Sequence, residues 1–250
     1  MKFLFASDSF KGTLSSEKII ELLTESANKV FPGCETAGTL IADGGEGTVD
    51  AVIAMTKGSL IEVSVHGPLM EETTAVYGKI NEESAIIEMA AASGLPMVPA
   101  ELRNPLNTTT YGTGELIKDA LDKGFRNISI ALGGSATNDG GMGAMAALGV
   151  KFLDKDGKEL KGQGSDLAKV AKVDISGLHP AVKEAAFTVM CDVNNPLTGP
   201  DGATYTFGKQ KGGTPEILDE LEAGMKSYAK VAGEALGRDI DNLPGAGAAG

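Results

Sequence analysis

An α/β fold organised around a parallel strand layer is predicted by three features of this sequence. Apolar β-type runs alternate with helical stripes from the amino terminus onward, in the strand–helix–strand–helix order that builds parallel sheets. Several of those runs end abruptly in glycine-rich loops that carry acids or amides: Asp8-Ser9-Phe10-Lys11-Gly12, Asp43-Gly44-Gly45-Glu46-Gly47, Gly133 to Gly141, and Asp192-Val193-Asn194-Asn195-Pro196. Glycine reaches 34 of 250 residues and is clustered rather than periodic, which points to constrained turns and not to linker or collagen-like sequence. In a parallel layer the loops at the carboxyl ends of the strands share a crevice, where ligands bind. Glycine lets backbone come close to a ligand, so a phosphorylated or polyanionic ligand is expected, with acids and amides placed for a metal ion.

The elements follow in order. Lys2 to Ala6 reads as the first strand, and Ser15 caps a helix whose apolar stripe runs through Ile19, Ile20, Leu22, Leu23, Ala27 and Val30. Thr36 to Ala42 is a second strand, and Thr48 is positioned to cap a second helix. Leu60 to Val65, Thr73 to Ile80 and Ser84 to Met89 alternate as strands, the last two paired around Asn81-Glu82-Glu83. A helix from Tyr111 to about Lys123 precedes a regular strand, Phe125 to Leu132. A helix of small residues spans about 142–148. Val150 to Asp154 and Lys158 to Leu160 flank Asp156-Gly157 as a hairpin. Phe187 to Cys191 reads as a buried strand that runs straight into Asp192, and Thr214-Pro215 opens a long helix by cap and first-turn proline. The change from βα units to paired strands sets a boundary near residues 75–80, and no internal repeat or low-complexity linker appears. Pro244 to Gly250 reads as a glycine-rich turn opening a small-residue helix, so a further carboxyl-terminal portion is expected.

Composition narrows the function classes. A net charge of −12, from 22 basic against 34 acidic residues, speaks against a nucleic-acid partner. It also requires that an anionic substrate be held by local basic groups, helix termini or Mg²⁺. Cys34 and Cys191 make no disulfide framework or CxxC motif, which fits a reducing, cytoplasmic home. No apolar run reaches the roughly 18 residues needed to span a membrane, and no signal peptide is expected ahead of the first strand. His66 and His179 lie in unrelated surroundings, so no zinc site or Cys/His nucleophile is assembled.

The candidate residues each have a bland alternative. Lys11 is a basic side chain in a strand-end loop, suited to a phosphate or carboxylate oxygen; most such lysines are solvated. Asp43 and Glu46 pack two carboxylates among three glycines, a costly arrangement unless a cation or donors compensate it; otherwise they are capping acids in a turn. Gly133, Gly134, Ser135, Ala136, Thr137 and Asn138 offer backbone amides and hydroxyls to phosphate oxygens ahead of a helix amino terminus, although no Walker lysine follows. Asp139 and Asp192 are candidates for base or metal ligand. Asn194 and Asn195 are placed to bind a hydroxyl-bearing substrate or, more simply, to form Asx turns before Pro196. Arg103 is able to grip a carboxylate in bidentate fashion or to sit in solvent.

Taken in order, these segments resemble the bacterial type 1 glycerate kinases over essentially the whole sequence. The resemblance rests on Asp8 to Gly12, Ala42 to Thr48, Tyr111-Gly112-Thr113-Gly114-Glu115, Gly134 to Gly141 and Cys191 to Leu197. Phe207-Gly208-Lys209-Gln210-Lys211-Gly212 and Pro244 to Gly250 add to it. It implies two α/β domains facing a cleft, the first Rossmann-like with a parallel sheet and the second inserted into it. With the boundary above, residues 1–78 form the amino-terminal part of the first domain and 79–250 the second. It also implies ATP-dependent phosphorylation of D-glycerate to 2-phospho-D-glycerate with Mg²⁺, and family members continue past the last glycine motif. Lys11, Asp192 and Asp139 become the expected catalytic residues, with Asp192 and Asp139 also toward metal. Ser9, Phe10, Asp43, Glu46, Arg103, Asn194 and Asn195 are expected at the substrate, and Gly133 to Asn138 at the nucleotide phosphates. A homodimer is allowed for. Two competitors remain at this level: another enzyme acting on a small phosphorylated sugar acid, and a noncatalytic binding or interaction module. A dehydrogenase is disfavoured because no GxGxxG follows the first strand.

Overall fold

The computed structural model describes every residue except 9, 11, 12, 42, 43 and 46. The amino-terminal unit follows the expected order closely. Strand β1 (Lys2–Ser7) leads to helix α1 (Ser16–Val30), strand β2 (Glu35–Leu40) and helix α2 (Thr48–Thr56). β1 and β2 pair in parallel from Lys2↔Glu35 to Ser7↔Leu40. Ser15 caps α1 through a hydrogen bond donated by Lys18 N at 3.3 Å. Thr48 proves to be the first residue of α2 instead of its cap. Its hydroxyl accepts from Gly44 N at 3.2 Å and so closes the preceding loop on itself.

Five strands form the central sheet, in the order β3 (Ser59–His66), β4 (Glu72–Lys79), β5 (Ser84–Glu88), β6 (Asn127–Ala131) and β9 (Ala186–Met190). β3–β4 and β4–β5 are antiparallel, whereas β5–β6 and β6–β9 are parallel. The boundary expected between 78 and 79 therefore falls inside the last paired residues of β4, where Gly78 meets Ile86 and Lys79 meets Ala85 across one continuous sheet. Both faces of the sheet centre are covered. Tyr77, Ala85 and Ile87 point to helix α4 (Tyr111–Asp122), where they pack with Leu116, Ala120 and Leu121. Gly78 and Ile86, one residue out of phase, lie under Ile53 of α2. Period-two alternation on β4 and β5 against two helices explains this double burial.

A second core lies under helix α7 (Pro215–Leu236), whose Leu221, Met225, Tyr228 and Ala232 meet Phe152, Leu167 and Met142. Thr214 caps α7, its hydroxyl accepting from Ile217 N at 3.4 Å. The short strands β7 (Lys151–Leu153) and β8 (Lys172–Asp174) run beside it. The hairpin expected around Asp156-Gly157 forms its turn, but β7 takes β8 as its antiparallel partner and meets Glu159 only at one isolated bridge. The remaining helices are short: α3 (Ala90–Ser93), α5 (Met142–Ala147) and α6 (Ala203–Phe207). Among the described residues no helix is long and apolar enough to cross a membrane.

Strand β9 departs from its sequence reading. Its apolar composition predicts burial, yet Phe187 and Val189 are 38% and 54% exposed. The reason is position: among the described residues β9 is the last strand of the sheet and pairs only with β6. Composition marks a strand, but only topology decides whether the strand is central or at an edge.

Candidate active site

The carboxyl ends of the parallel strands β5, β6 and β9 bring the site together. β5 ends at Glu88, whose Oε1 accepts a 2.6 Å bond from Val49 N in the first turn of α2. A carboxylate there suits both the unpaired amides and the positive end of the helix. After β6 the chain enters Gly133, and after β9 it enters Cys191 and Asp192. The two segments touch where Leu132 N donates to Met190 O at 3.2 Å, and Gly133 N reaches Gly44 O at 2.8 Å. The sequence-distant loops at 44–45, 132–135 and 190–193 thereby wall one cavity of about 170 Å³, closed further by Phe207, Gln210, Ala248 and Ala249.

Residues 133–141 form a braced loop. Gly134 sits at φ +76°, a left-handed conformation that favours glycine. Gly133 is needed for closeness, since a Cβ there would lie 2.6 Å from Gly45 Cα and 2.9 Å from Gly44 O. Leu95 N donates to Gly134 O at 2.8 Å, Ala136 N to Ser93 O at 2.9 Å, and Thr108 Oγ1 to Ala136 O at 3.0 Å. Asn138 Nδ2 donates to Thr204 Oγ1 at 3.2 Å. Among the described residues, none of these hydrogen bonds engages the backbone N–H of Gly134 or of Ser135, and both residues line the cavity.

The predicted site residues divide into three groups. Gly133, Gly134, Ser135 and Asp192 line the cavity, and Asp192 is exposed there. Ala136, Thr137, Asn138 and Asp139 lie beneath it, none more than 1% exposed. Phe10, Arg103, Asn194 and Asn195 are not among the lining residues. Phe10 is 61% exposed in a tight turn with Leu14. Arg103 Nε donates to Val98 O at 3.3 Å, and the Asn195 side-chain amide donates to Asp201 O at 2.7 Å, six residues along the chain. Lys11, Ser9, Asp43 and Glu46 lie outside the described residues.

Asp139 is wholly buried and holds the loop to the start of α4. Its Oδ2 accepts from Thr110 N and Thr110 Oγ1, both at 2.8 Å, and from Gly143 N at 3.2 Å, while Oδ1 accepts from Gly141 N at 3.1 Å. Burial pushes its carboxyl above the ordinary aspartate range, and the donors from Thr110, Gly143 and Gly141 pull the other way.

One participant has no assigned role in the sequence reading. Lys211 is 1% exposed, and its ammonium donates to Thr137 O at 2.5 Å and Ala249 O at 2.9 Å. Ser135 Oγ donates to the same Ala249 carbonyl at 2.9 Å. Pro244 to Gly250 is thus a series of turns docked on the 133–141 loop, with Gly140 N donating to Gly250 O at 2.8 Å. The available signal was the run Phe207 to Gly212, where a lysine stands between glycines at a helix exit.

This chain matches the model of the glycerate kinase family over residues 3–250. It is 48% identical over 251 residues to a glycerate kinase of Bacillus subtilis (strain 168) and 47% identical to a glycerate 2-kinase of Escherichia coli (strain K12). Each alignment covers all of this chain and 66% of the relative, so the chain spans just under two thirds of the length of these relatives. A crystal structure described as glycerate kinase 2 from Salmonella typhimurium LT2 superposes with a TM-score of 0.89 at 44% identity, covering 100% of this chain and 67% of that one. With the family model, the relatives and the solved structure agreeing over the whole sequence, the chain belongs to the glycerate kinase family.

Proposed function

We propose that this chain transfers a phosphoryl group from ATP to the 2-hydroxyl of D-glycerate, giving 2-phospho-D-glycerate. The observation that carries this reading is the shared cavity. Gly134 and Ser135, whose backbone N–H groups are not spent on other segments among the described residues, and the exposed Asp192 line one space at the carboxyl ends of β6 and β9. The names of the Bacillus subtilis and Escherichia coli relatives support the choice of glycerate, and the latter name supports the 2-position.

Phosphoryl transfer is chiefly alignment and charge compensation. In this reading the Gly134 and Ser135 amides hold equatorial oxygens of the transferring group, as preorganised donors that need no rearrangement. Asp192 accepts the proton of the substrate hydroxyl. Asp139, already committed to four donors, braces the loop. Lys11 is assigned the glycerate carboxylate or the phosphoryl oxygens, and Asp43 and Glu46 further polar contacts to the substrate, on their sequence motifs alone.

Mg²⁺ fits this donor set. Magnesium carried on a nucleotide needs only one or two protein carboxylates, and Asp192 offers one on the cavity. Among the described residues no cluster of three or more acids, histidines or cysteines forms a cage by itself. When bound beside Asp192 the ion would neutralise phosphate charge.

The test is glycerate-dependent ADP release from Mg-ATP, with the product's phosphate located by ³¹P–¹H NMR and the Escherichia coli relative run in parallel. Phosphate on the 2-hydroxyl supports the reading, whereas a control that turns over beside a folded but inert chain overturns it. Asp192→Asn, exposed and without structural bonds to lose, is expected to lower kcat by about 10²-fold or more, in line with the loss of a general base, while the melting temperature holds.

A further inference from the structure

Lys211 is the only buried cation among the described residues. It ends a 3₁₀ turn, Lys209–Lys211, stopped by Gly212 at φ +93°. No described carboxylate forms an ion pair with it; both of its hydrogen bonds go to neutral backbone carbonyls, those of Thr137 and Ala249. Burying an ammonium with no carboxylate in contact is costly; the charge of Asp139 acts on Lys211 without a hydrogen bond between them, and an apolar side chain of the same length would fill the space without that cost. The charge itself therefore calls for an explanation.

Its two acceptors supply one. Thr137 belongs to the loop that carries the Gly134 and Ser135 amides, and Ala249 to a segment that also lines the cavity and is bonded to Ser135. Ala249 is held at φ +62°, a left-handed conformation unfavourable to a non-glycine residue. It persists because its carbonyl is gripped twice, by Lys211 and Ser135, while Gly140 N holds the next residue. Gln210, the neighbour of Lys211, also lines the cavity. The ammonium thus lies just behind the wall that offers its amides to an anion.

We infer that Lys211 is a positioning residue for phosphate binding: its buried ammonium clamps the 135–138 and 248–250 segments together and sets a positive potential behind the Gly134 and Ser135 amides. The inference rests on the reading that this cavity takes a phosphoryl group. Two further features make it testable. Burial draws the Lys211 ammonium down to about 7, opposed by the charge of Asp139 on the loop. Tyr228 of α7, on which the same aspartate acts, is pushed further up by burial and stays neutral at physiological pH. A neutral amine still donates hydrogen bonds, so deprotonation removes the charge and leaves the clamp. As pH rises through 7 the anion affinity should fall while the fold remains.

The probe is sulfate, which stays dianionic from pH 6 to 8.5 where phosphate does not. Binding is followed through the ¹H–¹⁵N shifts of Gly134 and Ser135, with melting temperatures recorded alongside. The unaltered chain is expected to show saturable shifts and an affinity that drops roughly five- to tenfold from pH 6 to 8.5, the scale of one charge-assisted contact. Lys211→Met is expected to bind about tenfold more weakly at pH 6 and to lose the pH dependence. Lys211→Arg, charged at every pH, is expected to restore the affinity at pH 6 and hold it at 8.5. If Lys211→Met is folded and matches the unaltered chain in affinity and pH profile, the inference falls while the phosphate reading stands. If that variant does not fold, a flat sulfate affinity in the unaltered chain overturns the inference by itself. Absence of any sulfate-dependent shift at Gly134 and Ser135 overturns the inference together with the phosphate reading.

Discussion

Replacing Asp139 tests how the glycine-rich loop is held. In Asp139→Ala, the amides of Thr110, Gly141 and Gly143 and the hydroxyl of Thr110 lose their acceptor in a site of zero exposure. The Thr110 hydroxyl can turn to another partner, but the three amides are fixed by the backbone. Each buried donor left unpaired costs about 1–3 kcal/mol, for a sum of roughly 3–6 kcal/mol after allowing for relief of the buried charge. That is a large part of the 5–15 kcal/mol typical of a domain. Asp139→Asn keeps one oxygen. With that oxygen toward Thr110 and Gly143, only the Gly141 amide faces a like donor, and a loss of about 1–2 kcal/mol is expected. The chain has no tryptophan, so urea unfolding is best followed by far-ultraviolet circular dichroism. The expected order of stability is unaltered chain, then Asn, then Ala, with the Ala variant close to unfolded at 37 °C. An alanine variant within 1 kcal/mol of the unaltered chain would falsify the brace.

Three further outcomes follow from the same structure. Gly133→Ala drives a methyl group into the Gly44–Gly45 backbone, with contacts of 2.6 and 2.9 Å; overpacking of this kind costs about 1–3 kcal/mol, and in steady-state kinetics it should raise the nucleotide KM more than it lowers stability. Thr214→Ala removes the cap of α7, and thermal unfolding should show a loss of about 0.5–2 kcal/mol with kinetics unchanged, since the helix packs in the second core. The third is a pH trend in stability set by Lys211. Its folded value of about 7 lies below the ordinary 10.5, so between those limits the folded chain has released a proton that the unfolded chain keeps. Unfolding then takes up a proton, and this group makes stability rise with pH from about 7 toward 10.5, by up to about 1.4 kcal/mol per pH unit. Urea titrations in which Lys211→Met shows the same slope as the unaltered chain would contradict the assignment.

Much of this molecule was legible in its sequence because the signals are local. A serine three residues ahead of a backbone donor makes the cap of α1, and Thr214-Pro215 makes that of α7. Alternation on residues 125–132 and the glycine run after it located β6 and the glycine-rich loop that follows it, since strand period and turn chemistry are written in consecutive residues. The ordered series of motifs also pointed to the glycerate kinase family, and the family model bears that out over residues 3–250.

Contacts between distant segments were not legible. Asp139 reads as a candidate base or metal ligand in a glycine-rich loop, and only its packing against Thr110, Gly141 and α5 shows the four hydrogen bonds it accepts. Lys211 stands in the sequence only as part of the Phe207 to Gly212 run, yet folding brings Thr137 and Ala249 together around it, from positions 74 and 38 residues away. Phe187 and Val189 read as core, and an edge position leaves them exposed. By itself the sequence determined the elements, their order, the glycine-rich loops and the family, because propensity, period and motif act over a few residues. The tertiary structure decided which carboxylate faces the cavity, which is buried as a brace, and where an ammonium is worth burying, because burial and electrostatic environment depend on neighbours that only the folded chain supplies.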